Sequence, residues 1–270
     1  MNYQTFQPQL DLAPLIKCYW IMESPKDENP QQQTIVPDGC MEMIFHYGDL
    51  YRQYLENGEN VVQPRSCVFG QLTQPLKIEP TGVTGIFSVR FHYDGFLPFA
   101  TIPIKEMDNK AISLEKIFGT DGTELERNVL QAKTTEEKIA AVELFLLNRL
   151  NMETIDKIVQ STVDTILTAN GQMPINELSK RININRRQLE RKFSMTIGLS
   201  PKQLSKTIRL QSILKLLLNK EFTSLTTLAY DADYYDQAHF IKDFKEFTGL
   251  TPKEFYGESL KMSSLFYRTE

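Results

Sequence analysis

Two stretches in the last third of the chain repeat one design, and this repeat constrains the fold more than any other feature of the sequence. In residues 175–197, INELSKRININRRQLERKFSMTI, Ile175, Leu178 and Ile182 form one apolar stripe and Leu189, Phe193 and Ile197 form another, which predicts two short helices. Asn183 between them tolerates a left-handed turn, and Asn185 followed three positions later by Gln188 can cap the second helix. Residues 225–247, LTTLAYDADYYDQAHFIKDFKEF, repeat the plan with Leu225, Leu228 and small Ala229, a turn at Asp233, a cap at Asp236, then Phe240 and Phe244. The copies end alike, in IGLSPKQL and TGLTPKEF. Gly198 and Gly249 are placed to stop the second helix of each copy, and Ser200-Pro201 and Thr251-Pro252 to cap and start the next.

Between the copies, Pro201 to Leu218 reads as one long helix with Leu204, Ile208, Leu210, Leu214 and Leu217 inward. The result is two helix-turn-helix units joined by a rigid spacer. In the first, Arg186, Arg187, Glu190, Arg191 and Ser194 fall opposite Leu189 and Phe193. Taken alone, an Arg-rich helix face reads as a solvated surface. A second copy of the same scaffold shifts the reading to a face for the DNA major groove, where Arg suits guanine edges and Lys or Arg suits phosphates.

Net charge supports that placement once it is divided along the chain. The whole protein carries −4. Residues 1–170 carry −9 and residues 171–258 carry +4; within the latter, 171–220 carry +9 and 221–258 carry −5. The basic surface therefore belongs to the first unit, and the acidic second unit, with Asp231, Asp233, Asp236 and Asp243, is expected to bind phosphates weakly.

Over residues 175–256 the chain resembles the DNA-binding domain of the AraC/XylS family of transcription regulators. The residues that carry the likeness are L-E-R-K-F, G-L-S-P, the I-R-L of the connecting helix, L-A, D-Q-A-H-F and F-K-x-F-T-G-L-T-P. The resemblance implies base contacts from Arg187, Glu190 and Arg191, with Arg186 nearby, and in the second unit from Gln237, Ala238, Ile241 and Lys242. It also implies double-stranded DNA and RNA polymerase as partners, and activation as the commoner outcome. Two positions depart from the family's habit. Its turn glycine before the second recognition helix is Asp233 here, and the small residue of the first scaffold helix is Ser179.

The N-terminal part reads differently. From Thr34 to about Phe91 the β-favouring runs TIV, MEMIFHY, CVFGQL, LKIE and GIFSVRF alternate with turn signals at Pro37-Asp38-Gly39, Tyr47-Gly48-Asp49 and Pro80-Thr81-Gly82. The alternation of Met41, Met43 and Phe45 against Glu42, Ile44 and His46 is imperfect, so several strands are expected to bury both faces. After Asp94 the pattern turns helical: Ile139, Val142, Phe145, Leu146 and Leu150 follow a capping sequence at Thr134 to Glu137, and a second run spans Ile155 to Ala169. Asn170-Gly171, where the charge also changes sign, marks the boundary.

The expected architecture is α+β. A small β-sheet or barrel followed by helices forms a regulatory, effector-binding or dimerising domain over 1–168. An all-α DNA-binding domain follows over 169–258, and a tail over 259–270. The AraC resemblance makes the first domain cupin-like, and its segments VPDGCMEMIFHYGD to GIFSVRFHYDGFLPF are similar to the sensor of a subset of such regulators. Around Phe87, Phe91 and Phe96, Arg90 could anchor an anionic effector with His92 and Tyr93 beside it; the competing reading is sheet core with an internally satisfied Arg. The helices of 112–168 are the candidate homodimer surface.

Other classes find less footing. Cys18, Cys40 and Cys67 are odd in number and widely spaced, which suggests reduced thiols and a cytoplasmic protein without disulfides. None is flanked by a histidine or a metal site, which argues against an alkyl-accepting DNA-repair protein carrying the same DNA-binding domain. His46, His92 and His239 lack the pairing of a metal-binding cupin, so no metal is assigned. No phosphate-gripping Gly-rich loop, HExxH or GxSxG is present, so neither an enzyme nor a cofactor is expected. The N-terminus lacks a secretory pattern and no run could span a bilayer. A protein that keeps the scaffold but has lost DNA binding stays open because of the acidic second unit.

Overall fold

The computed structural model describes residues 1–55, 57–219, 227, 229, 234 and 236–257. Ten strands and nine helices follow in chain order among these residues. The strands are β1 (Asn2–Phe6), β2 (Ile16–Ser24), β3 (Gln33–Ile35), β4 (Glu42–His46), β5 (Tyr51–Tyr54), β6 (Asn60–Val62), β7 (Ser66–Phe69), β8 (Leu76–Pro80), β9 (Thr84–Phe91) and β10 (Ala111–Ser113). The first four helices are α1 (Leu114–Phe118), α2 (Thr120–Gln131), α3 (Thr135–Arg149) and α4 (Lys157–Thr168). The other five are α5 (Ile175–Arg181), α6 (Arg186–Thr196), α7 (Pro201–Asn219), α8 (Gln237–Thr248) and α9 (Pro252–Gly257).

An antiparallel six-stranded sheet, ordered β1-β2-β9-β4-β7-β10, faces an antiparallel four-stranded sheet ordered β3-β8-β5-β6. Because successive side chains of a strand point to opposite faces, each central strand divides its residues between two cores. Tyr19 and Ile21 of β2, Met43 and Phe45 of β4, and Phe87, Val89 and Phe91 of β9 pack with Leu114, Ile117, Leu125, Val142 and Leu146 beneath α1, α2 and α3. Trp20, Met22 and Ile86 point the other way, toward Tyr51, Leu76 and Ile78 of the smaller sheet. All eight residues of β9 are buried. The expected two-faced burial is present, and it explains why period-two alternation is weak in β4 and absent in β9.

Three expectations are corrected. The strands begin well before Thr34: β1 and β2 precede it, and β2, nine residues long, pairs with both β1 and β9. Its run IKCYWIMES is apolar on both faces and so carries no alternation to read. The segment after Asp94 is not at once helical, for two short 3-10 turns (Leu97–Phe99 and Ile104–Met107) lead into β10, which pairs with β7. Finally, α4 does not share the α1–α3 core. Its Val159, Val163 and Ile166 pack with Leu178, Leu189, Phe193, Leu204 and Ile208 of the helical domain.

Caps set the helix boundaries as expected. Thr134 and Glu137 form a reciprocal capping box on α3. Asn170 and Gly171 both take positive φ after α4, 48° and 71°. Gly171 also lies so close to α7 that a Cβ there would stand 2.1 Å from the Ser205 carbonyl oxygen, a position only Gly fills. Ser200 with Gln203 and Thr251 with Glu254 exchange the same pair of cap hydrogen bonds at the starts of α7 and α9.

Candidate nucleic-acid interface and ligand cavity

In the first unit α5 and α6 join at Asn183, which adopts φ 55°, and Asn185 caps α6 by accepting from the Gln188 amide at 2.9 Å. Leu178, Leu189, Phe193 and Ile197 are buried together. Anchoring on one side fixes what the other side presents: Arg186, Arg187, Gln188 and Arg191 are exposed, with Glu190 and Ser194 half-buried among them. Glu190 accepts from Arg186 Nε at 2.8 Å, an exposed i,i+4 pair that aligns the two side chains and contributes at most about 0.5 kcal/mol. The first turn of α6 holds no acid, so its helix dipole adds to the positive field of the arginines.

Lys192, on the flank of α6, pairs with Asp156, which also caps α4 through the amides of Ile158 and Val159. Burial works against the Asp156 charge, but the Lys192 hydrogen bond and the two amides hold its carboxyl below the usual range. The recognition helix is therefore tied to α4 as well as to α5 and α7.

In the second unit Asp236 caps α8 by accepting from the His239 amide at 2.7 Å, Phe240 and Phe244 are buried, and Gly249 ends the helix in the left-handed region. Gln237, Ala238 and Lys242 are exposed and Ile241 is half-buried, so α8 offers the same positions as α6. Two of the four acids counted against this unit are occupied within the scaffold. Asp236 is the cap, and Asp243, only 8% exposed, faces inward and pairs with Lys206 of α7 at 3.1 Å. Leu225 and Leu228 of the scaffold helix, the turn at Asp233, and Asp231 lie outside the described residues, as does the expected tail.

The β-domain holds a partly open cavity of about 80 Å³ between its two sheets. Trp20, Tyr51 and Phe69 give it an aromatic wall, and Asp38, Glu42 and Arg90 are its charged lining residues. Arg90 donates to Glu42 Oε1 at 2.7 Å and also pairs with Asp38. Burial opposes the Arg90 charge, but the two carboxylates hold it protonated; burial raises Glu42, against the pull of Arg90. His46 is buried, stacks on Tyr51 and lies within side-chain hydrogen-bonding reach of Gln63. Burial pushes its pKa down to about 4, so it is neutral at pH 7.

Of the residues expected to form an effector pocket, only Arg90 lines this cavity. Its guanidinium is already engaged by two carboxylates, so the picture of a free anion anchor is corrected. Phe87, Phe91 and Phe96 belong to the core on the opposite face of the sheet, and Tyr93 packs against the helical domain. Sequence reasoning missed Trp20, Asp38, Glu42, His46 and Tyr51. One signal was available: Glu42 and His46 share a face of a strand whose other residues are apolar, and polar groups on an inward face mark a cavity or a network.

A strap links cavity and helices. Val36 packs with Leu210, Leu214, Phe240 and Phe244, and the Pro37 carbonyl accepts from Gln211 of α7. The Gly39 carbonyl accepts from Gln71 at 2.9 Å, and Gly39 takes φ 82° so close to Tyr93 and Leu204 that a Cβ would stand 2.9 Å from the tyrosine ring. Asp38 and Cys40, in the same strap, line the cavity.

Residues 178–257 match the family model of a helix-turn-helix domain, and residues 4–113 that of a domain of unknown function, DUF6597. An uncharacterised helix-turn-helix-type transcriptional regulator of Haemophilus influenzae is 32% identical over 98 residues, covering 34% of this chain; the chain spans about a third (33%) of that relative's length. Among solved structures, ToxT from Vibrio cholerae aligns over 95% of this chain and 98% of its own, with 12% identity and a TM-score of 0.47. The C-terminal domain of AraT, a response regulator from Geobacillus stearothermophilus, aligns over 38% and 85%, with 23% identity and a TM-score of 0.36.

Proposed function

We propose that this chain, whose C-terminal domain is an AraC-type helix-turn-helix domain, regulates transcription by sequence-specific binding of duplex DNA under the control of its β-domain. The observation that carries the reading is the exposed Arg186, Arg187 and Arg191 row on a helix whose opposite face is locked by Leu189 and Phe193. Arg187, Glu190 and Arg191, with Arg186 and Ser194, read bases and phosphates in one major groove; Gln237, Ala238, Ile241 and Lys242 meet the next, about one helical turn or roughly 34 Å along. The first unit supplies most of the affinity.

Packing favours a domain boundary ahead of α4, near the short turn Met152–Thr154, rather than at 168, because α4 is built into the helical core. The β-domain senses a small molecule, and the strap 36–40 carries the occupied state to α7, which both units share. Activation through RNA polymerase and assembly as a homodimer through the α1–α3 side complete the proposal. Burial pushes the thiols of Cys40 and Cys67 up to about 12, which keeps these two far from the thiolate that alkyl transfer needs.

Sequencing of genomic fragments captured by the purified full-length protein tests the reading. A recurrent motif that disappears with Arg187→Ala is expected; capture indifferent to that substitution, or no capture at low and physiological salt, would contradict it.

A further inference from the structure

The outward row of α6 does not stop at its arginines. An α-helix turns by about 100° per residue, so with Arg191 pointing outward, Arg187 and Met195 lie about 40° to either side of it, while Leu189 and Phe193 lie about 160° away in the core. Arg187, Arg191 and Met195 therefore share one ridge, at i, i+4 and i+8. Met195 is 67% exposed, more than any other large apolar side chain from α4 onward among the described residues. Its neighbours are otherwise engaged: Lys192 pairs with Asp156, Thr196 and Ile197 are buried, and Ser194 is half-buried. The last turn of α6 carries no basic residue, so it offers solvent a thioether where a phosphate-binding cation could stand. The scaffold does not demand this. With Leu189 and Phe193 set against Phe240 and Phe244, the counterpart of Met195 on α8 is Glu246, whose side chain is 63% exposed and pairs with Lys206 at 3.1 Å. A carboxylate serves at that place on α8, so packing gives no reason for an apolar side chain on α6.

We propose that Met195 is a specificity-determining residue of the first unit and packs against the 5-methyl group of a thymine, in the major groove that Arg187 and Arg191 enter. The proposal rests on the reading of α6 as a recognition helix and names one base that it selects. From Arg187 to Met195 the ridge runs about 12 Å at 1.5 Å per residue, the length of roughly three to four stacked base pairs. Over that length thymine is the base that puts a methyl group into the major groove, and apolar side chains are what meet it there. The unbranched, polarisable side chain of Met adapts to a methyl group approached from either side. Such a contact neutralises no phosphate, so it adds sequence preference without adding salt dependence. In this respect Met195 differs from the two arginines on its own ridge.

Full-length wild type, Met195→Ala and Met195→Leu are titrated by fluorescence anisotropy against a captured genomic fragment. They are also titrated against copies in which each thymine of the bound motif is replaced in turn by deoxyuridine, which lacks only the methyl group. One replacement is expected to weaken wild-type binding about fourfold, the worth of one buried methyl group. Met195→Ala should be indifferent to that same replacement, whereas Met195→Leu, which keeps the apolar bulk, should retain most of the sensitivity. Because Met195 is exposed, thermal unfolding of both variants should match the wild type, and so should their slope of log affinity against log salt. Deoxyuridine profiles identical in the wild type and Met195→Ala overturn the proposal and assign the exposed thioether to a surface other than the DNA contact. A salt slope flattened by Met195→Ala overturns it as well. If Arg187→Ala abolishes capture while the deoxyuridine profiles stay identical, only the role of Met195 is defeated. If the wild type captures no fragment, the regulator reading falls and this proposal with it.

Discussion

The second helices of the two helix-turn-helix units, α6 and α8, share their caps, buried rings and closing glycines but differ in electrostatics. Asn185 and Asp236 cap equivalent helices, Leu189 and Phe193 answer Phe240 and Phe244, and Gly198 and Gly249 follow with φ 87° and 79°. Yet the first unit spends its polar surface outward, on Arg186, Arg187 and Arg191, whereas the second turns Asp243 inward onto Lys206 and leaves Lys242 outside. The difference teaches that residue counts misjudge a surface: part of the second unit's negative charge is scaffold, so the side proposed to face DNA is less hostile to phosphate than a net of −5 over 221–258 suggests.

If the scaffolds are equivalent, their cores should fail equally. Phe193→Ala and Phe244→Ala each remove a fully buried ring and are expected to cost about 3–5 kcal/mol by chemical denaturation. A loss confined to one of them would break the equivalence. The electrostatic contrast should appear in binding. Arg187→Ala is expected to cost about 1–3 kcal/mol of affinity for a captured operator, and Lys242→Ala about 1 kcal/mol or less, read by fluorescence anisotropy.

The inward turn of Asp243 can be sharpened with Lys206→Met, which strands a mostly buried carboxylate whose remaining neighbours include Tyr234 at 3.5 Å. Since Lys206 is partly exposed, solvent softens the loss to about 1–2 kcal/mol of stability. Thermal unfolding of this variant should shift while α6 keeps its hydrogen-exchange protection. Asn185→Ala and Asp236→Ala should each cost about 1 kcal/mol of stability, because each removes one cap hydrogen bond.

The helical domain was legible because α5, α6 and α8 each show one face to a core and one to solvent, which leaves a 3.6-residue stripe in the sequence. Asn183, Asn185 and Gly249 added local turn and cap chemistry that long-range packing does not override. The β-domain was legible only in outline. β2 and β9 bury both faces, and the register that puts Trp20 beside Ser88 and Glu42 beside Arg90 is set by pairing between distant strands. For the same reason the exposed row proposed to meet DNA could be named from one helix, whereas the cavity gathers Trp20, Glu42, Tyr51 and Arg90 from four strands. The packing of α4 with α5–α7 was equally hidden, since Val159, Val163 and Ile166 make a stripe that fits either neighbour.

Salt dependence of operator binding tests a DNA grip centred on the first unit most directly. Isotherms of the wild type, Arg187→Ala and Lys242→Ala on one captured fragment, across a salt series, give the slope of log affinity against log salt. Loss of a phosphate-neutralising charge should flatten that slope by about one unit, and the flattening should be larger for Arg187→Ala than for Lys242→Ala. An equal or larger flattening from Lys242→Ala, or a wild-type slope near zero, would contradict a DNA grip centred on the first unit.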